Sequence, residues 1–85
     1  MAHNATVVLT AADKARATKA RKMLDAMDKN DRVLVHYERR DGVARYYEGE
    51  VLSRLGENDK EAAIIDTPSG PRTLNLWRMK NVSFL

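Results

Sequence analysis

The stretch that decides the fold is Asp31-Arg32-Val33-Leu34-Val35-His36-Tyr37-Glu38-Arg39-Arg40-Asp41-Gly42-Val43-Ala44-Arg45-Tyr46-Tyr47-Glu48-Gly49-Glu50-Val51-Leu52-Ser53-Arg54-Leu55. It reads as two long strands, residues 32–39 and 44–55, joined by a turn at Asp41-Gly42. Val33, Val35 and Tyr37 alternate with Leu34, His36 and Glu38, and Tyr47, Gly49 and Val51 alternate with Tyr46, Glu48 and Glu50. Successive strand residues point to opposite faces, so the acids mark the wet face and the first set of each strand faces the core. Placing both sets on one face with Tyr37 opposite Tyr47 and Val35 opposite Gly49 leaves an odd number of loop residues. A three-residue loop, Asp41-Gly42-Val43, or a bulged equivalent is therefore expected. Gly49 in mid-strand marks a bend or bulge.

Ahead of this hairpin, Thr10 reads as a helix N-cap with Asp13 three residues on, a capping-box variant that sets an acid near the positive helix end. Residues 11–29 contain no glycine or proline and are rich in alanine, lysine, arginine and methionine, all good helix formers. Ala17, Ala20, Leu24 and Met27, with Met23 beside them, fall on one narrow stripe, from which Lys14, Arg21, Lys22 and Lys29 are expected to point away. Asn30 is the expected C-terminal cap. The helix should lie on the barrel or on a second copy. Residues 1–10 form a loose start in which Thr6-Val7-Val8-Leu9 could serve as an edge strand.

Beyond the hairpin, residues 56–60 are a polar connection and residues 62–67 a short, nearly all-apolar strand. Pro68-Ser69-Gly70-Pro71 is a turn. Residues 72–77 alternate again, with Leu74 and Leu76 inward and Thr73, Asn75 and Trp77 outward. A tight helical turn is expected at 78–81 and a last strand at 82–85. The organisation is thus 1–10 flexible N-terminus or edge strand, 11–30 basic amphipathic helix, and 31–85 small β-barrel. The fold class is α+β, mainly β: a helix followed by a five-stranded, strongly bent antiparallel barrel.

The chain has 85 residues and no cysteine. That length suits one domain, and the absent thiols exclude disulfides, thiolate metal sites and cysteine nucleophiles. No apolar run approaches the ~18 residues of a membrane span, and residues 1–10 lack a signal-peptide layout, so a cytoplasmic protein without membrane contact is expected. Lys14, Arg16, Lys19, Arg21 and Lys22 stand together without one acid, whereas from Arg32 onward nine basic residues face eight acidic ones. A basic cluster of this kind suits a polyanion; the competing reading is a solvated helix face.

Catalytic chemistry is hard to assemble. His36 stands alone on a strand beside Glu38 and Arg39, and neither metal-ligand spacing, nor a serine elbow, nor a phosphate-cradling glycine loop occurs. The chain is expected to be non-enzymatic and to need no cofactor. Binding has more support: Arg39, Arg40, Arg45 and Tyr46 surround the hairpin tip, and Trp77-Arg78 stands at the far end of the fourth strand. Arginine beside an exposed aromatic is what base stacking or a protein hot spot requires. The competing readings are a solvated tip paired with Glu38 and Glu48, and a Trp77 packed under the helix.

The residues 32–37, Asp41-Gly42 and 71–82 resemble the opening and closing strands of WYL-type domains, Sm-like barrels of bacterial regulators that bind nucleic acid or a ligand. Ala63-Ile64-Ile65 stands where their Trp-Tyr-Leu signature belongs. Residues 47–51 also resemble the corresponding strand of Sm and YolD-like proteins, and residues 32–37 with 46–51 resemble Tudor and chromo barrels. This likeness implies a small barrel and leaves the task open, because such folds host many functions. The leading expectation is nucleic-acid binding through the basic helix and the arginine-rich hairpin tip, by phosphate neutralisation with little sequence readout. The alternative is a protein-interaction module, such as a phage or mobile-element accessory protein acting on a host protein, that uses Trp77 and the helix stripe. A homodimer is expected because the stripe is narrow and Val7–Leu9 offers a spare strand.

Overall fold

The computed structural model describes residues 8–28 and 31–85. Helix α1 spans Ala11–Asp25, and the strands are β1 Arg32–Glu38, β2 Ala44–Leu55, β3 Ala62–Thr67, β4 Gly70–Asn75 and β5 Met79–Phe84. Short 3-10 turns occupy Asn58–Lys60 and Leu76–Arg78. All five strands are antiparallel neighbours in one sheet of order β4-β3-β2-β1-β5. One helix followed by this bent, barrel-like sheet is the expected α+β class.

β2 is long because it serves two partners. Its first half pairs with β1 and its second with β3, and Glu50 stands opposite both Arg32 and Asp66. At this handover Gly49 has φ +151°, and a Cβ there would lie 2.0 Å from the Asp66 carbonyl oxygen. Only glycine lets β3 approach so closely. The ladder register shifts again between Val51 and Ser53, a bulge that adds to the bend. Val33, Val35 and Tyr37 are buried as their alternation requires, together with Ala63, Ile65, Leu74, Leu76, Met79 and Val82. Tyr47 and Val51 are half-buried against this core.

The hairpin register differs from expectation by two residues. Val35 pairs with Tyr47, Val33 with Gly49 and Tyr37 with Arg45. The Gly42 N–H donates to the Arg39 carbonyl (2.8 Å) and the Arg39 N–H to the Val43 carbonyl (2.9 Å), which closes a loop of Arg40-Asp41-Gly42. Gly42 takes φ +84°, and in a three-residue loop the left-handed residue stands last, not in the middle. A two-residue shift keeps every side chain on its face. The core set therefore survives the error, and Tyr37 meets Tyr47 edge-on with centroids 5.8 Å apart.

Helix α1 starts as its cap dictates. The Asp13 N–H donates to Thr10 Oγ1 (3.1 Å), and the Thr10 N–H donates to Asp13 Oδ2 (3.0 Å). It ends at Asp25 with Ala26 as C-cap, short of the expected 29. Asp25 and Asp28 oppose the negative helix end, and Asp31 turns the chain by accepting the Asp28 N–H at 2.8 Å. Lys29 and Asn30, expected as last turn and cap, lie outside the described residues. So do residues 1–7, which include the first two of the four residues of the suggested edge strand; Val8 and Leu9 belong to no strand. Ala17, Ala20 and Leu24 are buried, and the helix rests on the Leu76–Arg78 turn and β5. The stripe faces the barrel.

The helical turn expected at 78–81 comes two residues early. The Asn75 N–H donates to Tyr37 Oη (3.0 Å) and the Leu76 N–H to the Glu61 carbonyl (3.0 Å). The Leu76 bond continues the β3–β4 register by one pair, and the Asn75 N–H points off the ladder edge to Tyr37. Strand β4 ends at Asn75, and Trp77 stands in the turn, not on a strand. Buried Met79 then opens β5, which begins three residues earlier than expected. No helix among the described residues is long and apolar enough to cross a membrane.

Candidate functional site

Most of the eleven residues singled out in the sequence fall into three environments. The first is internal. Arg21, expected to point outward, is half-buried and donates from Nε to Glu61 at 3.2 Å, with a further bond to the Asn58 carbonyl. Glu61, whose side chain is only 11% exposed, also accepts from Arg54, and Arg54 pairs in turn with Asp25. Two carboxylates and two guanidiniums thus tie α1 to the sheet. Desolvation of Arg54 is outweighed by its bonds to Glu61 and Asp25, which raise its pKa and hold it charged. Glu61 and Arg54 were not recognised from the sequence, although an acid immediately before the apolar run 62–65 was a visible signal.

The second environment is the exposed side of α1, where Lys14, Lys19 and Lys22 project into solvent. Arg16 does not join them. It donates to Glu38 Oε1 at 2.8 Å, and this bond is the main reason the Glu38 carboxyl titrates below its usual range. Lys80 and Arg78 add to that effect, so Glu38 marks a locally positive patch. Arg16 and Arg78 also help lower the Asp13 carboxyl, whose chief stabiliser is the Thr10 backbone N–H.

The third environment is a groove. The hairpin tip and the β4–β5 turn meet, and Tyr37, Arg39, Arg40, Asn75, Trp77 and Arg78 line a cleft of about 370 Å³. The early turn puts Trp77 here, half-buried against the core. Arg39 is tethered only by an exposed contact to Asp41 at 3.4 Å, and Arg78 reaches the Glu38 carbonyl at a long 3.5 Å. Arg40 is exposed and makes no ion pair among the described residues. Burial raises the Tyr37 phenol pKa, so its Oη stays protonated while it accepts the Asn75 N–H.

Comparisons with known protein families, curated proteins and solved structures find no match for this chain.

Arg45 and Tyr46, adjacent in sequence, separate in space. Arg45 stands opposite Tyr37 on the groove side of the ladder. Tyr46 is on the other face, 66% exposed and stacked on His36 with centroids 4.6 Å apart and planes 12° from parallel. The lone strand histidine is thus half of an aromatic surface pair. Tyr37 and Asn75 are the groove residues that sequence reasoning missed as site members. Strand alternation places Tyr37 wholly in the core, and Asn75 carries no signal until the turn is placed.

Proposed function

We propose that this chain is a non-enzymatic binding module for nucleic acid, engaged through the groove between the hairpin tip and the β4–β5 turn. The observation that carries this reading is the convergence of Arg39, Arg40 and Arg78 around Trp77. Guanidinium groups suit phosphate oxygens, and an aromatic ring supplies a sequence-tolerant platform for a base. Lys14, Lys19 and Lys22 extend the positive surface along α1, and Arg45 extends it along β2. Arg16 and Arg21 contribute little, because each is held by a carboxylate. The Sm-like and WYL-like resemblance is compatible with this task, and the turn preceding the last strand supports it.

The protein-partner alternative relied on Trp77 and the helix stripe. The stripe is covered by the barrel, so only Trp77 remains on that side. Titration of random duplex and single-stranded oligonucleotides at two salt concentrations tests the reading. Affinity should fall with salt at a slope of about −0.9 per phosphate contact on duplex or −0.7 on single strands. No binding tighter than about 100 μM at low salt, where nonspecific phosphate binding is strongest, would refute it.

A further inference from the structure

We infer that the groove selects unstacked bases of single-stranded nucleic acid, with Trp77 as the stacking platform and the Asn75 side-chain amide as a reader of the base edge. This rests on the nucleic-acid reading and names its substrate. Three observations on the groove point the same way.

The first is size. A cleft of about 370 Å³ lies at the small end of ligand pockets, which run from about 300 to 1,000 Å³. It can admit one unstacked base with its sugar, whereas the bases of a duplex are stacked and paired.

The second is the unemployed polar group. Asn75 sits at the N-cap of the Leu76–Arg78 turn, where an asparagine side chain ordinarily accepts a backbone N–H. Here it makes no capping bond. Its backbone N–H is pinned by Tyr37 Oη, and among the described residues no hydrogen bond engages its amide. A half-buried amide with both donor and acceptor free, beside an aromatic ring, matches the paired donor and acceptor of a base edge. The protonated Tyr37 hydroxyl, which accepts from Asn75, keeps its own hydrogen as a further donor.

The third is the placement of charge. Arg39 and Arg40 come from the hairpin tip and Arg78 from the β4–β5 turn, from which it reaches the Glu38 carbonyl beside Arg39. Three cations around one platform suit the successive phosphates that flank an inserted nucleotide, an arrangement that a free mononucleotide does not use in full.

Trp77 is the chain's single tryptophan, so its emission reports the platform directly. The full chain is titrated with a pentanucleotide, an abasic oligomer of equal length, a mononucleotide and a duplex. The pentanucleotide should quench Trp77 and bind about 10-fold or more tighter than the abasic oligomer, as expected when one base stacks. The mononucleotide should quench only at much higher concentration. Followed with a labelled strand, Trp77→Phe should retain this preference and Trp77→Leu should lose it. Asn75→Ala should leave the melting temperature unchanged, since the backbone bond to Tyr37 persists, while levelling differences among homopolymers.

Equal affinity for pentanucleotide and abasic oligomer, with Trp77 emission unchanged, overturns the inference and leaves phosphate binding standing. A mononucleotide as tight as the pentanucleotide overturns the strand in favour of a free nucleotide. Binding of none of the four at low salt removes the nucleic-acid reading itself.

Discussion

Two regions of this molecule are rich in arginine, and they do opposite work. Beside the Asn58–Lys60 turn, Arg21 and Arg54 converge on Glu61 and Asp25, and every charge has a partner. At the hairpin tip, Arg39, Arg40 and Arg78 converge on Trp77 with only an exposed aspartate and a backbone carbonyl for company. The difference lies in the placement of acids, not in the number of bases. A guanidinium held by a poorly exposed carboxylate contributes to stability, and removing its partner strands a charge in a low-dielectric site. A guanidinium in an open groove contributes little to stability and is available to a ligand.

The largest expected effect removes both regions at once. Gly49→Ala forces a Cβ against the Asp66 carbonyl at the point where β2 passes from β1 to β3. A loss of about 4 kcal/mol or more, the upper range for single substitutions, should appear in urea denaturation. A near-neutral result would mean that β3 can retreat, and that the close approach does not hold the two halves of the sheet.

Glu61→Gln separates the regions. It should cost about 2 kcal/mol, below the 3–5 typical of a fully buried broken pair because both guanidiniums keep some solvent. For a domain of this size that lowers the melting temperature by about 8–16 °C, with the groove's ligand affinity retained in the folded protein. Tyr37→Phe acts on the groove wall instead. It deprives the Asn75 N–H of its acceptor, for about 1 kcal/mol at neutral pH. Burial raises the folded Tyr37 pKa, so its contribution is complete below about pH 10, where tyrosine in an unfolded chain titrates. As pH rises further, the unfolded state loses its proton first and stability falls. The phenylalanine variant should show a shallower alkaline decline.

A smaller change tests the helix alone. Thr10→Ala should cost about 1 kcal/mol by removing the cap. Because Asp13 titrates below its ordinary value when folded, its contribution is present above about pH 4 and fades as pH falls toward the folded value. Thr10→Ala keeps the backbone N–H that chiefly depresses Asp13, so most of this acid sensitivity should persist in it, whereas Asp13→Ala, which removes the carboxyl, should lose less stability on acidification than the natural chain. An Asp13→Ala variant as acid-sensitive as the natural chain would show that this carboxyl does not carry the acid loss.

The architecture was legible because period-two alternation in residues 32–38 and 44–51 assigns faces without fixing register. Tyr37 and Val35 reached the core even though their partners were misplaced by two. The cap at Thr10 was legible for a similar reason, since it needs only residues three apart. The groove was half legible. Its arginines and Trp77 stood out by type, but their convergence depends on the turn at Leu76–Arg78, whose start is held by contacts far away in sequence, to Tyr37 and Glu61. The role of Arg21 was hidden for the same reason: Glu61 is forty residues distant, and helical periodicity places Arg21 beside the stripe without naming what waits there.

The most direct test is a paired measurement on Arg40→Ala and Arg21→Ala, each followed by thermal unfolding and by single-strand titration across salt, well below the melting temperature. Arg40→Ala should leave stability within about 0.5 kcal/mol, weaken binding, and flatten the salt slope by about 0.7. Arg21→Ala should lower stability by about 1 kcal/mol, discounted for its partial exposure, and leave both affinity and slope intact. The contrary outcome is Arg21→Ala weakening binding as much as Arg40→Ala with stability unchanged, which would mean that the helix-side arginine, not the groove, meets the ligand.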